Sequence, residues 1–135
     1  MDKQFYEAPY AYGAHMGWDM LEWSDGFARF EMPVRSFHLN RHDNLHGGTH
    51  ASLLDTVMGY AGCWTGVPDQ RQMCLTLNLN VQFVSRSDRP LLIAEGRKTD
   101  GGASIFFAEG CVRDDQGLVL ARATGVFKYR RRQMD

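Results

Sequence analysis

Cysteine is scarce in this chain. The three that occur, Cys63, Cys74 and Cys111, are odd in number and widely spaced. This excludes a disulfide-framed secreted scaffold and fits reduced thiols of the cytoplasm. Surplus charge is also missing. Fifteen Lys and Arg stand against 16 Asp and Glu, a formal net charge of -1, so there is no general attraction to nucleic acid. No apolar run reaches the length of a membrane span, and the opening M-D-K-Q-F-Y-E has no signal-peptide core. The expectation is a cytoplasmic protein that neither crosses nor rides on a membrane. Internal repeats and low-complexity segments are absent too, and 135 residues suit one domain, 1–135.

What is present is organised around N-R-H-D-N-L-H-G-G-T-H-A-S-L-L-D-T-V-M-G-Y-A-G-C, Asn40 to Cys63. It opens in a polar turn and becomes the only long helix-period segment, from Gly47-Gly48 to about Trp64. On a helical wheel Gly48, Ala51, Ser52, Gly59 and Gly62 cluster about Asp55. Leu53, Leu54, Val57, Tyr60, Ala61 and Trp64 fall opposite. The bulky face reads as core. The small face costs helix stability, about 1 kcal/mol for each Gly against Ala, and makes sense where another backbone or a ligand comes close.

Around this helix the chain reads as short antiparallel strands. Residues 4–13 are aromatic and predict a short helix ending near Gly13, interrupted by Pro9. Gly17 to Trp23 and Phe27 to Val34 flank Ser24-Asp25-Gly26 as a hairpin. Residues 35–45 and 66–71 are irregular. From Leu75 to Phe83 the alternation puts Leu75, Leu77, Leu79, Val81 and Phe83 on one face and Thr76, Asn78, Asn80 and Gln82 on the other. Further strands are expected at 90–98, 104–113 and 118–129, with a frayed tail at 130–135. The order predicts an α+β domain, an antiparallel sheet of about six strands wrapped around the bulky face of one long helix.

Two features of the central stretch carry chemistry. Gly47 and Gly48 stand where helix N–H groups have no carbonyl partner. Such groups, at a positive dipole end, suit a carbonyl oxygen that is gaining charge. A Gly-Gly is also an ordinary flexible lead-in to a helix. Asp55, alone among small residues, is a candidate base or nucleophile; its bland counterpart is a solvated surface carboxylate. The two are about 12 Å apart along a helix, too far to serve one carbonyl. Either they are unrelated, or Asp55 works with Gly47 of a second subunit. The spacing His42, His46, His50 invites a metal reading, but Gly47-Gly48 and the pre-helix position of His42 break any continuous face, so no metal is expected. Ser52 and Cys63 lack a nucleophile's elbow or partner.

The pattern N-x5-H-G-G-x6-D, Asn40, His46, Gly47, Gly48 and Asp55, resembles the hotdog-fold acyl-CoA thioesterases. The nearest branch is the phenylacetate-pathway (PaaI-type) group, related to the 4-hydroxybenzoyl-CoA thioesterases. The likeness spans nearly the whole chain, including G-F-A-R-F-E-M-P-V and T-L-N-L-N-V-Q-F-V. It departs at His42-Asp43, where many relatives have a glycine-containing turn. The resemblance implies a hotdog fold and hydrolysis of an acyl- or aryl-CoA. Asp55 would activate water or attack directly, and the Gly47 N–H would hold the thioester oxygen. His46 would orient the turn. Asn40 would lie near the carbonyl or water, unless it is simply an Asx-turn residue, and Thr76 would assist the water, unless it is a plain strand threonine. Among the basic strand ends Arg86, Arg89, Arg97 and Lys98, the resemblance points to Arg86 and Arg97 for the coenzyme A phosphates. It implies no cofactor and a homodimer at minimum, extending to a homotetramer. A non-catalytic acyl-CoA-binding hotdog is the main alternative. A hotdog dehydratase and a purely structural protein stand further off.

Overall fold

The computed structural model describes residues 1–130. Its elements run α1 (Ala11–Met16), β1 (Asp19–Ser24), β2 (Phe27–Pro33), a 3-10 turn at Ser36–His38, α2 (Gly47–Gly62), β3 (Cys74–Phe83), β4 (Leu91–Gly101), β5 (Ile105–Asp114) and β6 (Val119–Tyr129). The strands make one antiparallel sheet in the order β1-β2-β4-β5-β6-β3. It packs on α2, the one long helix among the described residues, as the hotdog resemblance implies. No helix among the described residues is long and apolar enough to cross a membrane.

Leu53, Leu54, Val57 and Met58 of α2 are fully buried against Phe30, Leu92, Ala94, Phe106 and Val112. Each such side chain stabilises by about 1.5–3 kcal/mol. Together they outweigh the roughly 1 kcal/mol that each helix glycine costs. Sheet side chains also satisfy the last helix carbonyls. The Trp23 Nε1–H donates to Tyr60 O at 2.8 Å, and the Tyr129 hydroxyl donates to Gly62 O at 2.7 Å.

Several expectations shift. The first helix starts after Pro9 and runs past Gly13 to end at Gly17, whose φ of 91° is easy only for glycine. The central helix stops at Gly62 rather than Trp64. Gly62 is not on an open small face: it is buried, and a Cβ there would enter the Phe106 ring. Tyr60 is only half-buried because its hydroxyl turns out to Glu7. The small face meets the N-terminal segment. Tyr12 and Ser52 share a hydrogen bond of 2.7 Å, and Tyr10 and Thr56 one of 3.4 Å. Of the expected frayed tail, residues 131–135 lie outside the described residues. Arg130 is held by its N–H on Met73 O at 2.9 Å.

The largest correction is in β3. Its register against β6 slips between Thr76 and Asn78: Thr76 pairs with Phe127, Asn78 with Val126 and Leu79 with Gly125. Leu77 is the extra residue of a β-bulge. The predicted single alternation therefore breaks in two. Thr76 shares the helix-facing side with Leu79, Val81 and Phe83, while Leu75 shares the outer side with Asn78, Asn80 and Gln82. Leu75 and Leu77 are each 54% exposed.

Candidate active site

Asp55 projects from the middle of α2 toward the first half of β3. The bulge turns Thr76 inward, and its hydroxyl donates to Asp55 Oδ1 at 2.7 Å. Both line a cleft of about 340 Å³ that follows α2 toward its C-terminal end, over Gly59 to Cys63. Phe127, Cys74, Tyr60 and Trp23 form its walls, with Glu7, Arg71 and Met73 at the far end. Gly59 keeps the floor low, since a Cβ there would lie 3.5 Å from the Cys74 sulfur.

The far end is polar but internally paired. The Tyr60 hydroxyl donates to Glu7 at 2.9 Å, and Arg71 stands 3.7 Å from the same carboxylate. Burial, with Glu7 beside it, pushes the Tyr60 phenol above its ordinary value of 10, so it stays a donor.

Gly47 lies in a different cleft, of about 240 Å³, with Asn44, His50, Phe83 and Arg86. The Gly48 N–H is taken by His46 Nδ1 at 2.8 Å, which makes His46 the N-cap of α2. The Gly47 N–H bonds to no other group among the described residues. A Cβ on Gly47 would sit 3.1 Å from the Phe83 ring, so glycine lets that ring lie close to the helix N-terminus. Helix geometry still separates Gly47 from Asp55 by about 12 Å, and one chain keeps them in separate clefts.

The loop before the helix is fixed by local hydrogen bonds. Asn40 Oδ1 accepts from the His42 and Asn44 N–H groups at 2.9 and 3.2 Å, an Asx-type arrangement. Asn40 thus joins neither Asp55 nor the Gly47 cleft. Asp43 takes φ 60°, the left-handed conformation that a glycine would adopt freely and an aspartate tolerates. The departure at His42-Asp43 therefore leaves the turn in place. Buried His38 underlies it. Its Nδ1 accepts from the Arg35 N–H at 2.9 Å, its Nε2 lies 2.7 Å from Met16 O, and its own carbonyl accepts from the His46 N–H and the Thr49 hydroxyl.

The basic residues divide. Arg86 lines the Gly47 cleft. Arg97 sits on the outer face of the sheet, over the Phe27 ring and 3.7 Å from Glu95. Arg89 makes a two-pronged pair with Asp115 at 2.7 and 2.9 Å, and Lys98 lies over Tyr129. His42, His46 and His50 do not converge, and no group of three or more His, Cys, Asp or Glu among the described residues is placed to hold a metal ion.

Among the lining residues that sequence reasoning missed are Glu7, Trp23, Tyr60, Arg71, Met73, Cys74 and Phe127. Only Cys74 left a signal, two residues before Thr76 on the same strand. The others reach the cleft through tertiary packing.

Solved structures share this fold. A conserved protein of Pseudomonas aeruginosa, PA5202, is 24% identical with a TM-score of 0.82, over 96% of this chain and 98% of that one. BH2602 of Bacillus halodurans, whose structure contains CoA, is 28% identical with a TM-score of 0.79, over 97% and 85%. The PaaI protein of the E. coli phenylacetic acid degradation operon is 21% identical with a TM-score of 0.80, over 93% and 88%. No curated protein matches the chain. The model of the thioesterase superfamily matches residues 42–121, more than half of the sequence, including the His46-Gly47-Gly48 turn, Asp55 and Thr76. The chain belongs to the thioesterase superfamily.

Proposed function

We propose that this protein is a cytoplasmic acyl-CoA thioesterase of the phenylacetate-pathway type, with active sites built between two copies of the chain. The observation that carries the reading is the Asp55 carboxylate in an apolar-walled cleft with the Thr76 hydroxyl on it at 2.7 Å. Superfamily membership supports thioester chemistry, and the CoA in the 28% identical Bacillus halodurans structure supports the carrier.

In this reading the thioester lies with its acyl group along the cleft beside Gly59. Asp55 takes a proton from water while Thr76 holds the carboxylate, and the oxygen adds to the carbonyl carbon. The carbonyl oxygen becomes negative and is held by a Gly47 N–H, which costs no reorganisation because that group is already free. Collapse breaks the C–S bond. Coenzyme A leaves as the thiol and the acyl group as the acid. Direct attack by Asp55, giving an anhydride that water then opens, uses the same groups. His46 keeps the Gly47 turn in shape through its bond to Gly48, and Asn40 serves through its amide nitrogen or through the loop it fixes. Arg86, beside the Gly47 cleft, suits a coenzyme A phosphate; Arg97, on the outer face, serves the same ligand only across a further subunit contact. The chemistry uses no metal or cofactor.

The separation of Asp55 from Gly47 within one chain favours a two-fold dimer, in which antiparallel α2 helices bring each Asp55 to the other copy's Gly47. An edge strand of ten residues, β3, with exposed Leu75, Leu77 and Phe83, is a surface suited to such pairing, and a homotetramer would add a second contact. The test is a hydrolysis screen over aryl-, short- and long-chain acyl-CoAs with free thiol as readout. Turnover of at least one ester, lost in Asp55→Asn, supports the reading. Tight binding of acyl-CoA without turnover would replace it by the sensor alternative.

A further inference from the structure

From Phe5 to Tyr12 the chain runs antiparallel to α2 and touches it at residues four apart. Tyr12 shares its hydrogen bond with Ser52 at 2.7 Å, and Tyr10 with Thr56 at 3.4 Å. Glu7 accepts from the Tyr60 hydroxyl at 2.9 Å. The Phe5 and Trp64 ring centroids are 4.3 Å apart, just past the end of the helix. Residues four apart stand above one another on a helix, so the segment follows a single stripe. It walls the Asp55 cleft on that side, with Tyr10 beside Thr56 and Glu7 beside Tyr60. Glu7 is the one carboxylate besides Asp55 in the lining. Its side chain is 18% exposed, and Arg71, 64% exposed, stands 3.7 Å away, beyond the reach of a hydrogen bond. Tyr60 is fixed in turn. Its carbonyl accepts from Trp23 Nε1–H at 2.8 Å, and the Trp23 ring packs edge-on against its own with centroids 5.2 Å apart. A charged group in a set position therefore faces the cleft beyond the stretch that Gly59, Cys74 and Phe127 line.

We propose that Glu7, held by Tyr60, sets the length of the acyl group that the cleft accepts. The inference rests on the proposed placement of that group along the cleft beside Gly59. Hydrocarbon gains from burial there, about fourfold in affinity for each methylene. At Glu7 the gain ends. A methyl pressed on the carboxylate strips water from it and offers no hydrogen bond in return. Tyr60 stands five residues beyond Asp55 in α2, about 7.5 Å along the helix axis. An extended chain advances about 1.2 Å per bond. Roughly six to eight carbons therefore fill the space from the thioester to Glu7. A longer chain has to push Glu7 off Tyr60 or bend out past Arg71. Glu7 meets the far end of the acyl group and not the reacting atoms, so its part is in specificity.

The experiment measures kcat/KM of the full-length protein on straight-chain acyl-CoAs from butanoyl to hexadecanoyl. Calorimetry in an Asp55→Asn background gives the affinities of the same esters without turnover. Both should rise to hexanoyl or octanoyl and fall at dodecanoyl. Glu7→Ala should raise the ratio of dodecanoyl to hexanoyl about tenfold or more, because further methylenes are then buried without meeting a charge. Glu7→Gln, whose amide oxygen still accepts from Tyr60, should keep the limit. Tyr6→Phe loses only the bond of the same segment to Asp19, 2.8 Å long and outside the cleft, and should leave the ratio as it is. A rise that continues unbroken to hexadecanoyl in the unaltered protein overturns the limit. An unchanged ratio in Glu7→Ala overturns Glu7 as its cause. An equal shift in Tyr6→Phe does the same, since it traces the effect to loosening of the segment. If no ester is cleaved, the Asp55 reading fails, and the affinities still decide the limit. If none of the esters binds, both readings fall.

Discussion

The Thr76 hydroxyl meets Asp55 Oδ1 at 2.7 Å because a single extra residue, Leu77, interrupts the pairing of β3 with β6. Without that bulge Thr76 and Leu79 would lie on opposite faces of the sheet. The carboxylate would then face a leucine side chain or open water. The bulge also leaves Leu77 outside the core.

Asp55→Asn keeps the shape of the side chain and removes its charge. Hydrolysis should fall by roughly 10²–10⁴-fold in kcat with the fold retained. Thr76→Val should cost less, about tenfold, because the carboxylate remains and only its hydrogen bond is lost. Steady-state kinetics and circular dichroism on the purified variants check both. A Thr76→Ser variant that recovers most of the rate would trace the loss to the hydroxyl.

Gly59→Ala separates stability from activity. The Cβ would lie 3.5 Å from the Cys74 sulfur, an ordinary contact, and alanine gains up to about 1 kcal/mol of helix propensity. The melting temperature should therefore hold or rise while kcat/KM falls, since the added methyl fills the cleft floor. By contrast, Gly96→Ala would drive a Cβ to 2.5 Å from the Val57 carbonyl oxygen. That rigid backbone contact should cost several kcal/mol, of order 3. Thermal and urea unfolding of the two variants read the difference.

Stability should decline as pH falls from 7 toward 5. Burial holds His38 and His50 below their ordinary value of 6.5. Below 6.5 the unfolded chain therefore binds protons that the folded chain refuses, and protonation favours unfolding. The loss begins as pH drops under 6.5 and is complete below the depressed folded values. The Nδ1 atom of His50 is buried without a partner among the described residues. So His50→Leu should flatten the pH slope and be neutral or stabilising at pH 7. A slope unchanged in His50→Leu would remove His50 from this account.

Mixing two inactive variants tests the shared site. Gly47→Pro removes the free N–H at the first helical position, where the proline backbone is tolerated; its Cβ requires the Phe83 ring to give by a few tenths of an ångström, so circular dichroism first checks that the variant folds. His46, at φ -63° and ψ 135°, already has the conformation that a following proline requires. With Asp55→Ala as the second variant, about half of exchanged dimers are mixed by simple statistics, each with one intact site. Roughly a quarter of wild-type activity should return. Confirmed exchange by native mass spectrometry with no recovered activity would exclude sites shared between copies.

The sequence alone determined what depends on local pattern. Gly47-Gly48 before a run of buried Leu and Val specified where α2 begins and which side packs inward, because capping and a 3.6-residue period act within one segment. The turn residues specified the β1-β2, β4-β5 and β5-β6 hairpins but not the β2-β4 and β3-β6 pairings, which no tight turn joins, and the His46, Gly47, Asp55 spacing was enough to suggest the superfamily. The tertiary structure decided what depends on separate segments meeting. A bulge is a mismatch between two strands, so the β3 alternation, read from one strand, put Thr76 with Asn78 rather than with Leu79. Gly62 was grouped with the open glycines because the Phe106 that fills its space comes from β5. Glu7, Trp23 and Arg71 reach the Asp55 cleft from three parts of the chain, and Cys63 and Cys74 line it together only through packing of the end of α2 near the start of β3. Such contacts are fixed by chain packing between distant residues, and no periodicity within a window of sequence records them.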